Sequence, residues 1–230
     1  MKSEKITNEK PQPVKRWYDD ACATAHALEL LGERWALLIV RELMFGPRRF
    51  GELRAGLPGI SANVLTHRLE GLEAMGIATR HRLPPPANAQ VYELTPWGYE
   101  SEPIIRVISR WAARSPSHDP SLPLSAASMM LSFRTMISAE RAAGLDMTVG
   151  FRFGRDGFVA RVADGGIAIT RGEPAEVDVL FETDPATMAS LVYGGRSLAD
   201  AEATGALTLA GNRALARKFV TLFLLPAKAP

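Results

Sequence analysis

Apolar residues in the first half of the chain recur at helical spacing, in short segments that end at glycine or proline. The pattern predicts three helices, over residues 21–31, 35–45 and 49–55. A fourth helix is expected to begin after Ser61, whose hydroxyl suits an N-cap, and to end at Met75. Its leucines Leu65, Leu69 and Leu72 lie on one face and predict a buried stripe.

After residue 76 the pattern changes from helical spacing to alternation, which is typical of strands. Strands are expected over residues 78–83 and 90–94, joined by a tip with three consecutive prolines that begin at Pro84. Thr95 then suits the N-cap of a last helix, which Pro103 is expected to kink. The first half is therefore predicted to contain four helices, a hairpin and a terminal helix.

A change in composition divides the chain near its middle. The stretch 116–123 contains three prolines among serine and aspartate, and such a stretch continues neither a helix nor a central strand. We therefore predict four parts: a flexible N-terminal arm over 1–17, a first unit over 18–115, a linker over 116–123 and a second unit over 124–230.

The second half combines helical and alternating segments. A helix is expected over 124–143, followed by a four-strand meander, two helices, a fifth strand and a final amphipathic helix over 213–225. This order predicts a sheet with helices packed on one side, and an α+β fold for the chain as a whole.

Composition limits the class of protein. Hydrophobic residues make up 47% and charged residues 23% of the chain, as in soluble globular proteins, which excludes a fibrous or disordered protein. No apolar run approaches the roughly 18–20 residues of a membrane-spanning helix, and the N-terminus lacks an apolar signal core, so a cytoplasmic location is expected. The single cysteine, Cys22, excludes an intrachain disulfide and a multi-cysteine zinc site.

The sequence contains no recognisable catalytic or cofactor motif. Its four histidines are not at metal-ligand spacing, and it has no nucleophile elbow, phosphate loop or dinucleotide fingerprint. We therefore expect neither an enzyme nor a metal or cofactor site. Charge gives a weak signal for nucleic acid, because residues 47–92 hold six arginines against three glutamates, although an ordinary solvated surface is the alternative.

The first unit has the element order of a winged helix-turn-helix, in which a capped helix enters the major groove of DNA and the hairpin lies beside it. Three sequence blocks support this interpretation: G-E-R-W at 32–35, G-P-R-R-F-G-E-L at 46–53 and Y-E-L-T-P at 92–96. Over about residues 18–115 the chain resembles HxlR-type transcriptional regulators. The resemblance implies a bacterial, cytoplasmic homodimer that binds operator DNA.

Exposed residues of the fourth helix are the candidates for base contact. Asn63 can pair with adenine through two hydrogen bonds, Thr66 can meet a thymine methyl group, and His67 can donate to a base edge or a phosphate. Arg68 is left open between a phosphate contact and an intramolecular salt bridge, and plain solvation is the alternative for the whole face. The residues predicted to contact DNA are Arg48, Arg49, Ser61, Ala62, Asn63, Thr66, His67, Arg68, Arg80 and Arg82.

The terminal helix of the first unit is the candidate dimer contact. In HxlR-type regulators this helix pairs across the dimer, and a wide apolar face here suits that role, with packing inside the chain as the alternative. The residues predicted to form the homodimer contact are Ile104, Ile105, Ile108 and Trp111.

Cys22 is the candidate for redox chemistry. Some HxlR-type regulators carry a sensing cysteine near the first helix, at the place that Cys22 occupies. A helix N-terminus lowers the pKa of a thiol, whereas the neighbouring acids Asp19 and Asp20 raise it. Redox sensing and simple burial both remain open for this residue.

The second unit carries two blocks of its own, V-D-V-L-F-E-T-D-P at 177–185 and G-A-L-T-L-A-G at 205–211. Through them it resembles the sterol-carrier-protein fold over about residues 125–225. The resemblance implies an apolar tunnel for a lipid or another hydrophobic molecule, although the same residues suit an ordinary core. The candidate lining residues are Met130, Phe133, Met136, Phe151, Phe153, Phe181, Phe219 and Phe223.

The leading hypothesis is a transcriptional regulator whose operator binding is modulated by a hydrophobic ligand in the second unit. One alternative is a carrier of lipid or another hydrophobic ligand whose winged helix contacts protein. Another is a regulator in which the second unit only adds dimer surface.

Overall fold

The computed structural model describes residues 18–230, so the arm predicted over 1–17 lies outside the described residues. The pattern of four helices and a hairpin predicted for the first unit is confirmed, with element ends that differ by no more than two residues. The elements are α1 (Ala23–Leu31), α2 (Ala36–Leu43), α3 (Phe50–Ala55), α4 (Ala62–Ala74), β1 (Ala78–Arg82), β2 (Gln90–Leu94), α5 (Pro96–Tyr99) and α6 (Glu102–Ala112).

The last helix of the first unit is broken where the sequence predicted a kink. Glu100 and Ser101 separate α5 from α6. Pro103 lies in the first turn of α6, where a residue without an N–H leaves no helical hydrogen bond unmade. The buried Ser101 hydroxyl donates to the carbonyl of Gly98 at 2.6 Å and stabilises the corner between the two helices.

The second unit confirms the predicted α+β class, but its long first helix is interrupted. Ile137 is extended and pairs with Phe223 in a short antiparallel bridge. This bridge ends the helix predicted over 124–143 and takes the residues after Val220 out of the helix predicted over 213–225. The elements are α7 (Ala126–Met136), α8 (Ala139–Ala142), β3 (Met147–Phe153), β4 (Asp156–Ala163), β5 (Gly166–Arg171), β6 (Val179–Thr183), α9 (Pro185–Val192), α10 (Leu198–Ala203), β7 (Leu207–Gly211) and α11 (Arg213–Val220).

The five strands form one sheet in the order β5-β4-β3-β6-β7. Strands β3, β4 and β5 are antiparallel neighbours, but β6 lies parallel to β3 on its other side, so the predicted four-strand meander is wrong in its last strand. The loop that leads to β6 crosses the sheet at Gly150, where an added Cβ would lie 2.6 Å from the side chain of Pro174. A glycine is needed at this close approach.

Helices α7 and α11 pack on one face of the sheet, as the sequence predicted. The ring of Phe151 in β3 lies 5.5 Å from those of Phe133 in α7 and Phe219 in α11. The opposite face carries charged pairs, among them Arg152 with Glu182. The sheet therefore has one apolar side and one polar side.

The buried residues of the two units form one continuous cluster. At the boundary, the ring of Phe45, which follows α2, meets the ring of Phe158 in β4 edge to face at 5.6 Å. The guanidinium of Arg134 lies 4.5 Å from the centre of the same Phe45 ring. The helical first unit is therefore packed directly on the sheet and on α7.

Candidate nucleic-acid interface

Helix α4 is anchored on its apolar side and open on the other. The Ser61 hydroxyl accepts a hydrogen bond from the Val64 amide at 3.3 Å, which caps the helix as predicted. The leucine stripe is buried, while Asn63 and Thr66 are exposed and Ala62 is half-buried. The helix therefore presents its N-terminal half outward with two polar side chains available.

Two polar residues of α4, His67 and Arg68, have partners within the chain. Nδ1 of His67 lies 3.3 Å from a Glu70 carboxylate oxygen, and both side chains are exposed. Arg68 forms a salt bridge to Glu33 at 2.5 Å, and its Nε donates to the carbonyl of Arg34 at 2.9 Å. Of the two roles left open for Arg68, the structure contains the intramolecular salt bridge, because this guanidinium holds α4 to the turn before α2.

The wing places two arginines on one face. In β1, Arg80 and Arg82 alternate with His81, and both arginines are exposed. Arg80 lies 4.0 Å from the Glu73 carboxylate, a distance too long for a hydrogen bond. His81 faces the other way and lies 3.6 Å from Glu93. The wing thus has a cationic face formed by Arg80 and Arg82.

The two arginines before α3 have different surroundings. Arg49 is exposed, as a phosphate contact requires. Arg48 is only 12% exposed, and its guanidinium makes two hydrogen bonds to the carboxylate of Asp156, at 2.5 and 3.3 Å. The prediction that Arg48 contacts phosphate is therefore corrected, because its charge is already engaged by the second unit.

Asp156 also binds a second arginine, Arg171 of β5. Burial lowers the pKa of Arg171, the nearby charge of Arg48 lowers it further, and the carboxylate of Asp156 opposes both effects. The Nε atom of Arg48 and two nitrogens of Arg171 are buried without a hydrogen-bond partner in the described residues. Sequence reasoning missed this cluster, since its members are 108 and 15 residues apart and match no motif.

Helix α6 presents three faces. Ile105 is 6% exposed and packs into the core, so its predicted place in a dimer contact is corrected. Arg106 and Arg110 donate to backbone carbonyls in the last turn of α7, where the helix dipole favours a positive charge. The third face is apolar and lies in solvent. It consists of Ile104, Val107, Ile108 and Trp111, with exposed fractions of 48, 69, 43 and 72%.

Cys22 is the N-terminal flanking residue of α1 and is exposed, so the alternative of simple burial is wrong. Hydrogen bonds from the backbone and the side chain of Thr24 lower the pKa of the thiol. One oxygen of the Asp20 carboxylate accepts a hydrogen bond from the backbone N–H of Cys22 itself. The thiol is therefore accessible and more readily ionised than an ordinary cysteine.

The aromatic residues predicted to line a tunnel are packed against one another. The Phe133 ring lies 4.3 Å from that of Phe223 and 5.3 Å from that of Phe219. Beside this cluster the hydroxyl groups of Tyr193 and Ser132 are 2.7 Å apart, and burial raises the pKa of Tyr193 to about 12. All eight candidate lining residues are buried: Met130, Phe133, Met136, Phe151, Phe153, Phe181, Phe219 and Phe223.

Within residues 18–230, no helix is long and apolar enough to cross a bilayer. Nor does this described part of the chain contain a group of three histidine, cysteine, aspartate or glutamate residues that could hold a metal ion.

Comparison with known proteins finds relatives of the first unit. The family model for the HxlR-like helix-turn-helix matches residues 30–119. The HTH-type transcriptional regulator YvaP of Bacillus subtilis is 41% identical over 86 residues, which cover 37% of this chain and 80% of YvaP. The regulator YodB of the same organism is 38% identical over 86 residues, 77% of its length. The solved structure of reduced YodB matches with a TM-score of 0.38 and 35% identity, over 43% of this chain and 98% of that one.

Proposed function

The chain belongs to the HxlR-like helix-turn-helix family of transcriptional regulators, and we propose that it acts as a homodimer on operator DNA in the bacterial cytoplasm. The observation that carries the proposal is the exposure of polar and cationic side chains on three elements of the first unit. Asn63 and Thr66 project from the N-terminal half of α4, Arg49 lies at the start of α3, and the wing carries Arg80 and Arg82.

The exposed groups divide into two roles. Asn63 has the donor and acceptor pair that matches adenine in the major groove, and Thr66 offers a methyl group and a hydroxyl. The proposed groove-facing segment also includes the N-cap Ser61 and, in α4 itself, Ala62 and His67. The arginines Arg49, Arg80 and Arg82 neutralise phosphates, which gives affinity without reading sequence.

The exposed apolar face of α6 supports the homodimer. Four large side chains in solvent on one helix form a patch that soluble monomers rarely leave uncovered. A two-fold axis through this face would cover it with the same face of a second copy, since the surface of a symmetric dimer is self-complementary. The α4 helices of the two copies would then contact two operator half-sites.

The second unit is proposed to bind the effector, with the sheet-and-helix arrangement of a sterol-carrier-like domain. A hydrophobic molecule could enter the aromatic cluster only by separating α7 and α11 from the sheet, because Phe133, Phe151 and Phe219 now fill that space. Such a movement would reach α6 through the hydrogen bonds of Arg106 and Arg110 to the end of α7. Mass spectrometry of the natively purified protein tests for a bound hydrophobic molecule.

Salt dependence of DNA binding tests the proposed function. The logarithm of the affinity of the full-length protein for duplex DNA is expected to fall linearly with the logarithm of the salt concentration, because each neutralised phosphate releases counterions. A hydrophobic-ligand carrier whose winged helix contacts protein would bind duplex DNA weakly at all salt concentrations. That result would overturn the proposal.

A further inference from the structure

A cleft of about 420 Å³ lies where α6, α7 and β5 meet, at the boundary between the two units. It is lined by Glu102 and Arg106 of α6, by Arg134 and Ile137 at the end of α7, and by residues 166–168 of β5. Its volume falls in the range of about 300–1,000 Å³ that is typical of small-molecule sites. The cleft contains none of the residues assigned to DNA, to the dimer or to the aromatic cluster.

The three charged side chains in the cleft carry one more positive than negative charge, because Glu102 is paired with both Arg106 and Arg134. Arg134 uses both of its Nη atoms, since Nη1 donates to Glu102 at 2.6 Å and Nη2 donates to the carbonyl of Ile169. Arg106 uses one nitrogen, Nη2, to donate to the carbonyl of Arg134 at 2.5 Å. Its Nη1 lies 3.8 Å from Glu102, too far for a hydrogen bond, and its side chain is 42% exposed. Arg106 therefore retains donors that face the cleft. The carboxylate of Glu102 only partly balances its charge, because Glu102 also pairs with Arg134.

The edge of the sheet adds a backbone donor. Strand β5 is an outer strand, and the carbonyl of Ile169 faces away from β4, because it accepts from Arg134. In an antiparallel strand the backbone groups of residues two apart point to the same side. The N–H of Ile167 therefore also points away from β4, toward the cleft. The side chains of Ile167 and Ile137 are partly buried and give the cleft an apolar wall.

We propose that this cleft binds a small organic molecule with one carboxylate and an apolar body. The carboxylate would bridge the free donors of Arg106 and the N–H of Ile167, and the body would lie against Ile137 and Ile167. One uncompensated cation matches a single negative charge. A doubly charged phosphate would be repelled by Glu102, which forms the same wall.

The position of the cleft beside α6 would allow a bound ligand to affect operator affinity, and this consequence rests on the proposed function. Arg106 lies on α6 next to Val107, which belongs to the exposed apolar face assigned to the dimer. A ligand held between α6 and β5 fixes the angle between α6 and the sheet. It would change operator affinity if the DNA-competent dimer and the incompetent dimer hold that angle differently.

The test uses ¹⁵N-labelled full-length protein without DNA, with 4-phenylbutyrate as the probe and its amide, 4-phenylbutyramide, as the uncharged control. We expect a saturable shift of the Ile167 amide resonance with the carboxylate, and about tenfold weaker binding of the amide. Arg106→Gln is expected to weaken phenylbutyrate binding about tenfold. Arg110→Gln is the matched control, since it removes the same charge one turn further along α6, and it should leave binding unchanged.

Ile167→Ala provides a second variant that keeps every charge. It should weaken phenylbutyrate binding while leaving the preference for the acid over the amide intact. Equal binding of acid and amide, shifts confined to the aromatic cluster, or no saturable shift would each overturn the proposed cleft site. Operator binding measured without the probe tests the proposed function separately. A failure of the cleft site can therefore be distinguished from a failure of operator binding.

Discussion

The guanidinium of Arg48 and the carboxylate of Asp156 join the two units through two hydrogen bonds, at 2.5 and 3.3 Å. The backbone of Arg48 also exchanges two hydrogen bonds of 2.9 Å with Tyr92 in the wing strand β2. One residue thus ties together the start of α3, the wing and the sheet of the second unit. The start of α3 and the wing, two of the elements proposed to contact DNA, are therefore held directly by the second unit.

Removal of Asp156 should destabilise the protein strongly. Asp156→Ala removes the carboxylate that hydrogen-bonds to both Arg48 and Arg171 and leaves the two guanidiniums partly buried, and we expect a loss of about 3 kcal/mol in the free energy of unfolding. Urea unfolding followed by circular dichroism measures this change. The matched control is Asp146→Ala, which breaks an ion pair with Arg161 that is more than half exposed and should cost less than about 1 kcal/mol. Equal losses in the two variants would contradict the assigned role of Asp156.

A charge on the apolar face of α6 should separate the dimer. Val107 is 69% exposed, so Val107→Asp leaves the monomer fold intact but places an unpaired carboxylate in the proposed interface. We expect the dimer dissociation constant to rise about a hundredfold or more, measured by analytical ultracentrifugation. Leu122→Asp, at a position 63% exposed outside α6, should have no effect. A Val107→Asp protein that remains dimeric would place the dimer contact elsewhere.

Arg49 should contribute to DNA affinity without contributing to specificity. Arg49→Ala is expected to weaken binding to any duplex and to lower the slope of log affinity against log salt by about 1, the value for one lost phosphate contact. Arg155→Ala removes an exposed arginine from the turn between β3 and β4 and serves as the control. If both variants keep the wild-type slope, Arg49 does not contact phosphate.

Cys22 should react as a partly activated thiol. Because its pKa is lowered by hydrogen bonds from Thr24, the thiolate persists to lower pH than in an ordinary cysteine. The rate of alkylation by iodoacetamide should therefore reach half its plateau at a lower pH than for a cysteine in a short peptide. Thr24→Ala removes one of the donors and should raise this midpoint. A wild-type midpoint equal to that of the peptide would exclude the activated thiol.

Redox sensing by Cys22 is a separate prediction. If the thiol is a sensor, hydrogen peroxide, which oxidises a single thiolate to a sulfenic acid, should change the operator affinity of the wild-type protein and leave Cys22→Ser unaffected. Fluorescence anisotropy with a labelled operator measures this response. An identical response in both proteins would show that oxidation acts elsewhere.

Local sequence signals predicted most of the elements but not the contacts between them. The cap at Ser61, the leucine stripe of α4 and the alternation in the hairpin all act over a few residues, and each was confirmed within two residues. The bridge between Ile137 and Phe223 ended two predicted helices early, because its members are far apart in sequence. The parallel pairing of β6 with β3 was missed for the same reason.

In the candidate site, too, local features could be predicted from the sequence and contacts between distant elements could not. Exposure of Asn63 and Thr66 followed from helix periodicity and could be predicted. Arg48 and Arg49 are equivalent in the sequence, and only the fold determines that one faces Asp156 and the other faces solvent. The Arg106 cleft has no local signal at all, because its walls come from three separate elements.

The most direct test of operator recognition by α4 compares wild type and Asn63→Ala on two duplexes, an operator selected from a random library and a scrambled version of it. We expect Asn63→Ala to lose about 1–3 kcal/mol of binding free energy on the operator and almost none on the scrambled duplex. Fluorescence anisotropy at a single stated salt concentration measures all four affinities. Equal losses on both duplexes, or no loss on either, would contradict the assignment of α4 as the helix that reads the operator.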